Sequence, residues 1–417
     1  MRRRVFVIAA AAAVLSPYRK VKAQASFGTL AWVENGSLWI RLLPDGAPSK
    51  LASAPGLRSP RFSPSGEWIA FENAQEKRWA VRIDGKAGGE LNGDAAAWLP
   101  REDHRLLHPD AVFAPDGERY VFSRDLDGPN GPSIGQLCLA SLAELDREPE
   151  ILVWDQNGGK KPYAWTRDGK SVIYWNADEW GASPWSDGIA LSIVDVARGR
   201  SRELGITALA NDDMLNLAPA SAGNLLAVTS GRFRETWSEK RVTIVDLDTG
   251  GSRPLMAEEV ASMCPSWSPD GKIACFAAPD ANLAYNRSIA GTTERVILPN
   301  GRVEERTITP DSNISLDGYT AHPYLQQRKI WRLDPSGAAA PRQLTSDSRY
   351  RDEEPLWSAD GGKILFGRMD FEGNRSLWLM DSSGGNAAQV CRLQAEDTSW
   401  FGYYGYIDWR AAFDWRP

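Results

Sequence analysis

Short stretches of alternating hydrophobic and polar residues recur along the chain, each interrupted by a turn. The clearest copy, CPSWSPDGKIACF at residues 264–276, has an aromatic residue before the turn Ser-Pro-Asp-Gly and a second alternating stretch after it. Alternation predicts strands with one buried face, and Pro-Asp-Gly is typical of tight turns. Each copy therefore predicts a β-hairpin.

The residue before each turn recurs at a nearly constant spacing. Two hairpins per period make a four-stranded antiparallel unit, which is the repeat of a β-propeller. A second series of seven apolar stretches, each ending in an acidic or glycine turn, alternates with the first series. The sequence thus predicts an all-β fold, a propeller of seven four-stranded blades. The first series is Phe62, Phe113, Trp165, Leu217, Trp267, Trp357 and Trp409, with gaps of 51, 52, 52, 50, 90 and 52 residues.

The two ends of the chain predict how the ring closes. The N-terminal unit lacks its first strand, whereas Trp409 belongs to a first strand without the rest of its unit. Pairing the two would close the ring with one C-terminal and three N-terminal strands, and closure removes exposed sheet edges.

One gap in the series is about 39 residues too long. Within it, ERVILPNGRVEERTIT at residues 294–309 alternates around Pro-Asn-Gly and predicts a further hairpin. We interpret the gap as a β-hairpin insert at about 280–328. Eight or six blades are the alternatives to seven.

The first 25 residues predict an export signal. Three arginines precede the apolar run VFVIAAAAAVL, and Ala-Gln-Ala at 23–25 has the small-x-small form of a cleavage site. We expect residues 1–25 to be removed after export by the Sec or the Tat route. A single propeller domain, residues 26–417, would then remain in the periplasm or be secreted. No later stretch is apolar enough to predict membrane insertion.

The charge balance excludes some partners. The signal carries six of the 48 basic residues and no acidic one, so the mature chain has 42 basic against 54 acidic residues, a net charge of −12. Nucleic acid and anionic membranes need a positive surface, and neither is expected as a partner. We expect a monomer.

The pattern P-x-W-S-P-D-G-x-x-I-x-F, followed by L-W-x-x-D-x-x-G, resembles the TolB-like β-propeller repeat, a WD-repeat-like exported module. The resemblance covers nearly the whole chain after the signal and implies a fold rather than an activity. TolB itself has an α/β domain before six blades. Here the propeller starts near Gly28 with seven blades, so the resemblance is to the family and not to TolB itself.

Propeller geometry places the Ser-Pro-Asp-Gly turns on one face and the longer connections between hairpins and between blades on the other. The longer connections are rich in Trp, Tyr and Arg, which carry much of the energy at binding surfaces. We expect this loop face to bind a protein, peptide or glycan partner without catalysis. In-phase Trp165, Trp267 and Trp357 should instead pack between blades. The candidate binding residues are Trp180, Trp185, Arg232, Arg234, Trp237, Arg349, Tyr350, Arg351 and Trp400.

The alternative function is a metal-dependent carbohydrate lyase or hydrolase. His104, His108 and His322 map to the same face, and three imidazoles could hold a transition metal. The favoured interpretation has no catalytic residue, no metal and no cofactor. Structural calcium stays open, because residues 124–131 and 368–374 offer oxygen ligands at alternate positions.

The four cysteines fit no metal-binding spacing. Cys264 and Cys275 flank one hairpin and could form a disulfide. Buried free thiols are the favoured interpretation for all four.

Overall fold

The computed structural model describes residues 27–126, 134–144, 146–156, 158–177, 188–231, 240–256, 262–279, 281, 293–297, 303–307, 328–336, 339–370, 372–394 and 407–417. These residues form antiparallel strands and short 3₁₀ helices. Within those ranges, no helix has both the length and the apolar character needed to cross a bilayer.

The strands follow one another in the order that the repeats predict. Four 3₁₀ helices lie between them in the described ranges, at Ala95–Ala97, Arg101–Leu107, Asp212–Met214 and Ala220–Ala222. The strands are β1 (Thr29–Glu34), β2 (Ser37–Leu42), β3 (Ser49–Ser53), β4 (Arg58–Phe62), β5 (Trp68–Glu72), β6 (Arg78–Arg82), β7 (Gly88–Glu90), β8 (Val112–Phe113), β9 (Arg119–Leu126), β10 (Ile134–Ser141), β11 (Glu150–Gln156), β12 (Gly159–Trp165), β13 (Ser171–Ala177), β14 (Ile189–Asp195), β15 (Arg200–Ala208), β16 (Leu215–Leu217), β17 (Leu225–Ser230), β18 (Arg241–Asp246), β19 (Ser252–Pro254), β20 (Met263–Trp267), β21 (Ala274–Pro279), β22 (Thr293–Ile297), β23 (Val303–Thr307), β24 (Arg328–Leu333), β25 (Arg342–Gln343), β26 (Tyr350–Trp357), β27 (Lys363–Asp370), β28 (Arg375–Asp381), β29 (Ala388–Arg392) and β30 (Phe413–Arg416).

Hydrogen bonding groups the strands into four-stranded antiparallel units. In chain order these are unit A (β30-β1-β2-β3), unit B (β4 to β7), unit C (β8 to β11), unit D (β12 to β15), unit E (β16 to β19), unit F (β20-β21-β24-β25) and unit G (β26 to β29). Units D and E are joined into one sheet by the single residue pair Ala208–Ser230. In unit A the C-terminal strand β30 pairs with β1.

The overlong gap falls inside unit F. Strand β21 pairs directly with β24, so residues 280–327 connect the second and third strands of one sheet. Within this stretch β22 and β23 pair as a separate two-stranded hairpin, with Ile297 opposite Val303. The chain therefore leaves unit F and returns to it at the edge opposite the Ser-Pro-Asp-Gly turn.

Side-chain hydrogen bonds stabilise the Ser-Pro-Asp-Gly turn at residues 268–271. The Ser268 hydroxyl donates to Asp270 Oδ1 at 2.6 Å, and its Oγ accepts from the Ile273 N–H at 3.0 Å. Gly271 has φ +72°, a left-handed conformation that glycine adopts without strain. A Cβ there would also lie 2.4 Å from the Ala222 Cβ of the neighbouring unit. Turn and inter-unit contact thus require the same glycine.

The in-phase tryptophans join each unit to the one before it. Trp165 Nε1 donates to the Val112 carbonyl at 2.9 Å, and Trp267 Nε1 donates to the Asn216 carbonyl at 3.1 Å. Trp357 Nε1 donates to the Ser266 carbonyl at 3.1 Å. In each case the acceptor is the residue just before the in-phase position of the preceding unit. The packing role predicted for these three tryptophans is thereby confirmed.

The spacing predicts that Trp409 is the in-phase residue of the last strand, and this prediction is wrong. Residues 408–412 form a turn in which the Ala411 N–H donates to Asp408 Oδ1, so strand β30 starts only at Phe413. Trp415 takes the in-phase place, opposite Leu30 in the ladder. The fully buried Trp409 ring instead lies against Gly367, where an added Cβ would be 2.6 Å from it.

Cys264 and Cys275 do not form the disulfide considered from the sequence. Cys275 pairs with Ser266 across the ladder, because β20 bulges between Met263 and Ser266. Both thiols are free and buried, and so is that of Cys138. Cys391, also free, is partly buried.

We expect Trp165→Phe to lower the free energy of unfolding by roughly 1–3 kcal/mol, because the Val112 carbonyl would lose its donor inside a packed interface. Urea unfolding followed by circular dichroism measures this. Trp154→Phe is the matched control, since Trp154 is 60% exposed on strand β11, and should change stability by less than about 0.5 kcal/mol. Equal effects of the two substitutions would contradict the inter-unit role of Trp165.

Candidate functional site

Three side chains from consecutive units converge where the first strands of units E, F and G meet. Asp213 lies on the 3₁₀ helix before β16, Cys264 on β20 and Glu354 on β26. One carboxylate oxygen of each acid and the Cys264 Sγ lie within 4.8 Å of one another. Their residues are 6%, 4% and 2% exposed. We call this group the acid–thiol cluster.

A repeated backbone feature places two members of the cluster. Cys264 and Glu354 each precede a proline and have left-handed φ values of +52° and +51°. Ser59, at the same place in unit B, has φ +54°. The strand bulges at each of these positions. Left-handed backbone is costly for residues other than glycine, and a bulge redirects the side chain of the residue it contains.

Burial and mutual proximity disfavour the charged forms of all three groups. Burial, followed by the charge of Glu354, raises the pKa of Asp213 well above its usual value. Burial also raises the pKa of Glu354, although Arg410 opposes this. The pKa of the Cys264 thiol is raised by burial and by both carboxylates. The cluster therefore favours protons or a cation at this point.

A network of buried ion pairs surrounds the cluster. Glu353 Oε1 accepts from Arg328 Nη1 at 2.8 Å and from Arg351 Nε at 2.7 Å. Its Oε2 accepts from Trp409 Nε1 at 3.1 Å. Burial alone would raise the pKa of Glu353, but the two arginines outweigh it and the pKa lies below its ordinary value. Arg410 Nε donates to Glu354 Oε1 at 2.5 Å.

The sequence predicts Arg351 as a binding residue on the loop face, but the structure does not expose it there. It lies within strand β26, is 2% exposed and is engaged by Glu353. The stretch TSDSRYRDEEP, residues 345–355, is not a loop throughout, because strand β26 begins at Tyr350. The adjacent Asp352 is also buried and pairs with Arg368 through two hydrogen bonds, of 2.6 and 3.0 Å.

Arg349 and Tyr350 lie where β26 begins, on the loop face. The Arg349 side chain is 75% exposed, and its Nε and Nη2 donate to Asp347 at 3.0 and 2.7 Å. Its guanidinium lies 5.3 Å from the Tyr350 ring centroid. The Arg368 guanidinium also approaches that ring, at 4.8 Å. These contacts fix an exposed cation above an aromatic ring.

Of the three histidines, two lie in the described ranges, and their rings are engaged locally. His104 Nε2 is 3.1 Å from the Leu99 carbonyl. The His108 ring packs on Tyr120 with centroids 4.6 Å apart. Burial, with the charges of His104 and Arg78, lowers the pKa of His108. His322 lies outside the described residues.

Six other candidate binding residues also lie outside the described ranges, so their role stays a prediction. They are Trp180, Trp185, Arg232, Arg234, Trp237 and Trp400. Of the two acidic loops considered for calcium, the second makes a turn of its own. Asp370 Oδ1 accepts from the Glu372 and Asn374 N–H groups, and Oδ2 accepts from Asn374 Nδ2.

Two features of the site were not singled out from the sequence. The acid–thiol cluster combines residues far apart in sequence. For Cys264 and Glu354 the sequence signal is a proline immediately after each of them, ahead of the in-phase tryptophan; Asp213 has no such signal. Trp98 is the second feature. It lies in the connection between units B and C, packs on Trp68 with centroids 5.5 Å apart and is 37% exposed.

Comparisons with known proteins address the fold. No family model matches the chain. An uncharacterized protein of Agrobacterium fabrum, Atu1656, is 32% identical over 160 residues, 35% of this chain. The match spans 51%, about half, of that relative's length.

Solved structures cover most of the chain at low identity. The β-propeller domain of the Trilobed protease from Pyrococcus furiosus is 11% identical, with a TM-score of 0.45, over 87% of this chain and 92% of that one. Repeated four-stranded antiparallel units in chain order are the architecture of a β-propeller. The chain is a β-propeller. TolB from Acinetobacter baumannii is 17% identical with a TM-score of 0.41, covering 79% of this propeller and 66% of that chain. A puromycin-hydrolyzing peptidase of Mycobacterium tuberculosis is 13% identical with a TM-score of 0.51, over 87% of this propeller and 53% of that chain.

We expect Glu353→Gln to destabilise the propeller by roughly 3–5 kcal/mol, because it removes the charge that two buried arginines share. Urea unfolding at neutral pH measures the loss. Glu372→Gln changes an exposed acid in the turn after β27 and should be neutral within about 0.5 kcal/mol. A neutral Glu353→Gln would show that the arginines find other partners.

The lowered pKa of His108 predicts a pH dependence of stability. As the pH falls below about 6.5, an unfolded histidine takes up a proton that the buried ring resists. The contribution of His108 is thus present above that pH and is lost as the pH falls through the lower, folded-state pKa. Urea unfolding at pH 7 and pH 5 should show a smaller loss for His108→Gln than for the wild type. Identical losses would contradict the prediction.

Proposed function

We propose that this chain is an exported seven-bladed β-propeller that binds a protein, peptide or glycan partner on its loop face and has no catalytic activity of its own. The sequence of residues 1–25 supports export to the periplasm or beyond. The excess of acidic residues argues against nucleic acid and anionic lipid. The proposed form is a monomer.

Units A to G are the basis for seven blades in a closed ring. Strand β30 completes unit A and also contacts unit B, where Asp414 Oδ2 accepts from the Phe62 N–H at 2.7 Å. On the other side, Arg41 Nη1 of unit A donates to the Val390 carbonyl of unit G at 2.8 Å. These contacts make unit A the neighbour of both B and G. The direct pairing of β21 with β24 favours an insert in unit F over an eighth blade.

The observation that carries the binding proposal is the arrangement of Arg349 above Tyr350. A guanidinium held by Asp347 and stacked on an aromatic ring loses little side-chain entropy when a partner docks. Because Arg349 is 75% exposed, several of its donors face solvent. Such a fixed cation suits a carboxylate on a peptide or an acidic sugar.

Other features of the same face agree with a binding role. Trp98 exposes part of an indole in a connection between blades, where propeller loops carry function. The chain leaves unit F for residues 280–327 at this face as well. The buried arginines and acids of the interior pair with one another, so they are not assigned to the binding of a macromolecular partner. The proposed binding surface lies at the rim of the loop face, at Arg349 and Tyr350.

We expect the double variant Arg349→Ala, Tyr350→Ala to reduce partner capture at least about tenfold, as loss of a binding hot spot does. The measurement is pull-down from an envelope fraction of the source cells, quantified by mass spectrometry, with a glycan and peptide array in parallel. We expect only a small fall in the thermal midpoint, because the half-buried Tyr350 ring also lies against Arg368; circular dichroism must show that the double variant is folded before capture is compared.

Arg198→Ala is the matched control. Arg198 is also an exposed arginine paired with an aspartate, Asp195, at 3.1 Å, but it lies in the turn between β14 and β15 on the opposite face. Capture should survive this change. Equal capture by the wild type and the double variant would overturn the assignment of the loop face.

A further inference from the structure

We propose that Asp213, Cys264 and Glu354 form a binding site for a divalent transition-metal ion of the zinc class. The site lies inside the ring of first strands and does not depend on the binding surface at Arg349. It would join three blades through one ion.

The geometry of the cluster is close to that of a three-ligand site. The two carboxylate oxygens and the thiol sulfur lie within 4.8 Å of one another. Ligand atoms around a tetrahedral zinc ion, with bonds of about 2.0–2.3 Å, are roughly 3.5 Å apart. Metal binding would therefore require the three ligand atoms to move closer together. Three protein ligands leave the fourth position for water.

The thiol is an independent indication of a ligand. Cys264 is 4% exposed, and its Sγ has no hydrogen-bond partner among the described residues. The Cys138 thiol, by contrast, donates to Gln136 Oε1 at 3.9 Å. A buried, unpartnered sulfur between two carboxylates is suited to a thiophilic cation. Sulfur ligation also selects against calcium and magnesium, which take oxygen ligands.

The surrounding charges leave room for a divalent cation. Arg410 offers one positive charge to Glu354, and the pair is partly exposed on the arginine side. Arg328 and Arg351 are occupied by Glu353, at 2.8 and 2.6 Å. A deprotonated Cys264 with Asp213 and Glu354 would carry three negative charges. A divalent ion together with Arg410 would balance them.

The pKa values support the same conclusion. Burial raises the pKa of Asp213, of Glu354 and of the Cys264 thiol, so that a nearby cation would stabilise their charged forms. A bound metal ion displaces any protons on its ligands and deprotonates a coordinating thiol. Metal binding should therefore release protons and strengthen as the pH rises.

The test is a cobalt(II) titration of the full-length purified protein after treatment with a chelator and its removal. We expect one equivalent of cobalt to bind and to produce a thiolate-to-cobalt charge-transfer band in the near ultraviolet. Zinc should displace the cobalt and abolish the band. A wild-type protein that binds no cobalt, or binds it without this band, overturns the proposal before any variant is made.

Variants then assign the ligands. Cys264→Ser should remove the band and weaken cobalt binding by at least about 100-fold. Asp213→Asn should weaken binding at least about tenfold while keeping the band. Cys391→Ser is the matched control, since this free thiol lies on β29, outside the cluster, and should leave both properties unchanged.

Circular dichroism of each metal-free variant separates loss of the site from loss of the fold. A band that survives in folded Cys264→Ser, or that disappears in folded Cys391→Ser, would assign the metal to another thiol and overturn the proposed site.

Discussion

The hydrogen bond from an in-phase tryptophan to the backbone of the preceding blade is the interaction on which the architecture depends. The indole nitrogens of Trp165, Trp267 and Trp357 each reach the carbonyl one residue before the corresponding position of the preceding unit, as in Trp267 to Asn216. Because the indole has a fixed length and its acceptor is a fixed backbone carbonyl, this hydrogen bond sets both the distance between adjacent blades and their offset along the strand direction. The glycine of each turn reinforces this, since Gly271 contacts the preceding turn. Blades that make both the tryptophan and the glycine contact place their first strands around a common interior.

Much of the fold could be predicted from the sequence because an in-phase apolar residue, a tryptophan in several units, and a turn after it recur at nearly constant spacing. The strand pattern, the in-phase tryptophans and the pairing of the chain ends all follow from spacing. The error at Trp409 has a physical origin: spacing alone cannot distinguish a tryptophan that ends a strand from one that fills the interior before it. The turn begun by Asp408 makes that distinction, and such a turn has no repeated signature.

Less of the candidate site could be predicted. Arg349 and Tyr350 could be proposed from composition, because arginine and tyrosine where a connection enters a strand are a local signal, and their binding role stays a prediction. Arg351, two residues on, was misplaced because its burial depends on Glu353 and on strand β26 continuing inward. The acid–thiol cluster could not be predicted from any single stretch of the sequence. Its three members acquire a common location only when blades E, F and G stand side by side, and nothing in one repeat reveals what the next contributes.

In units B, F and G, the bulge in the first strand contains a residue that precedes a proline. Ser59, Cys264 and Glu354 occupy the same place and share the same backbone conformation, yet they differ in size, charge and chemistry. The parts of the repeat that pack one unit on the next lie after this position, in the aromatic residue and the turn. In these three units the residue in the bulge can therefore differ while the aromatic and turn contacts are kept. A single substitution at this position could change the chemistry of the interior while the tryptophan and turn contacts between blades are kept.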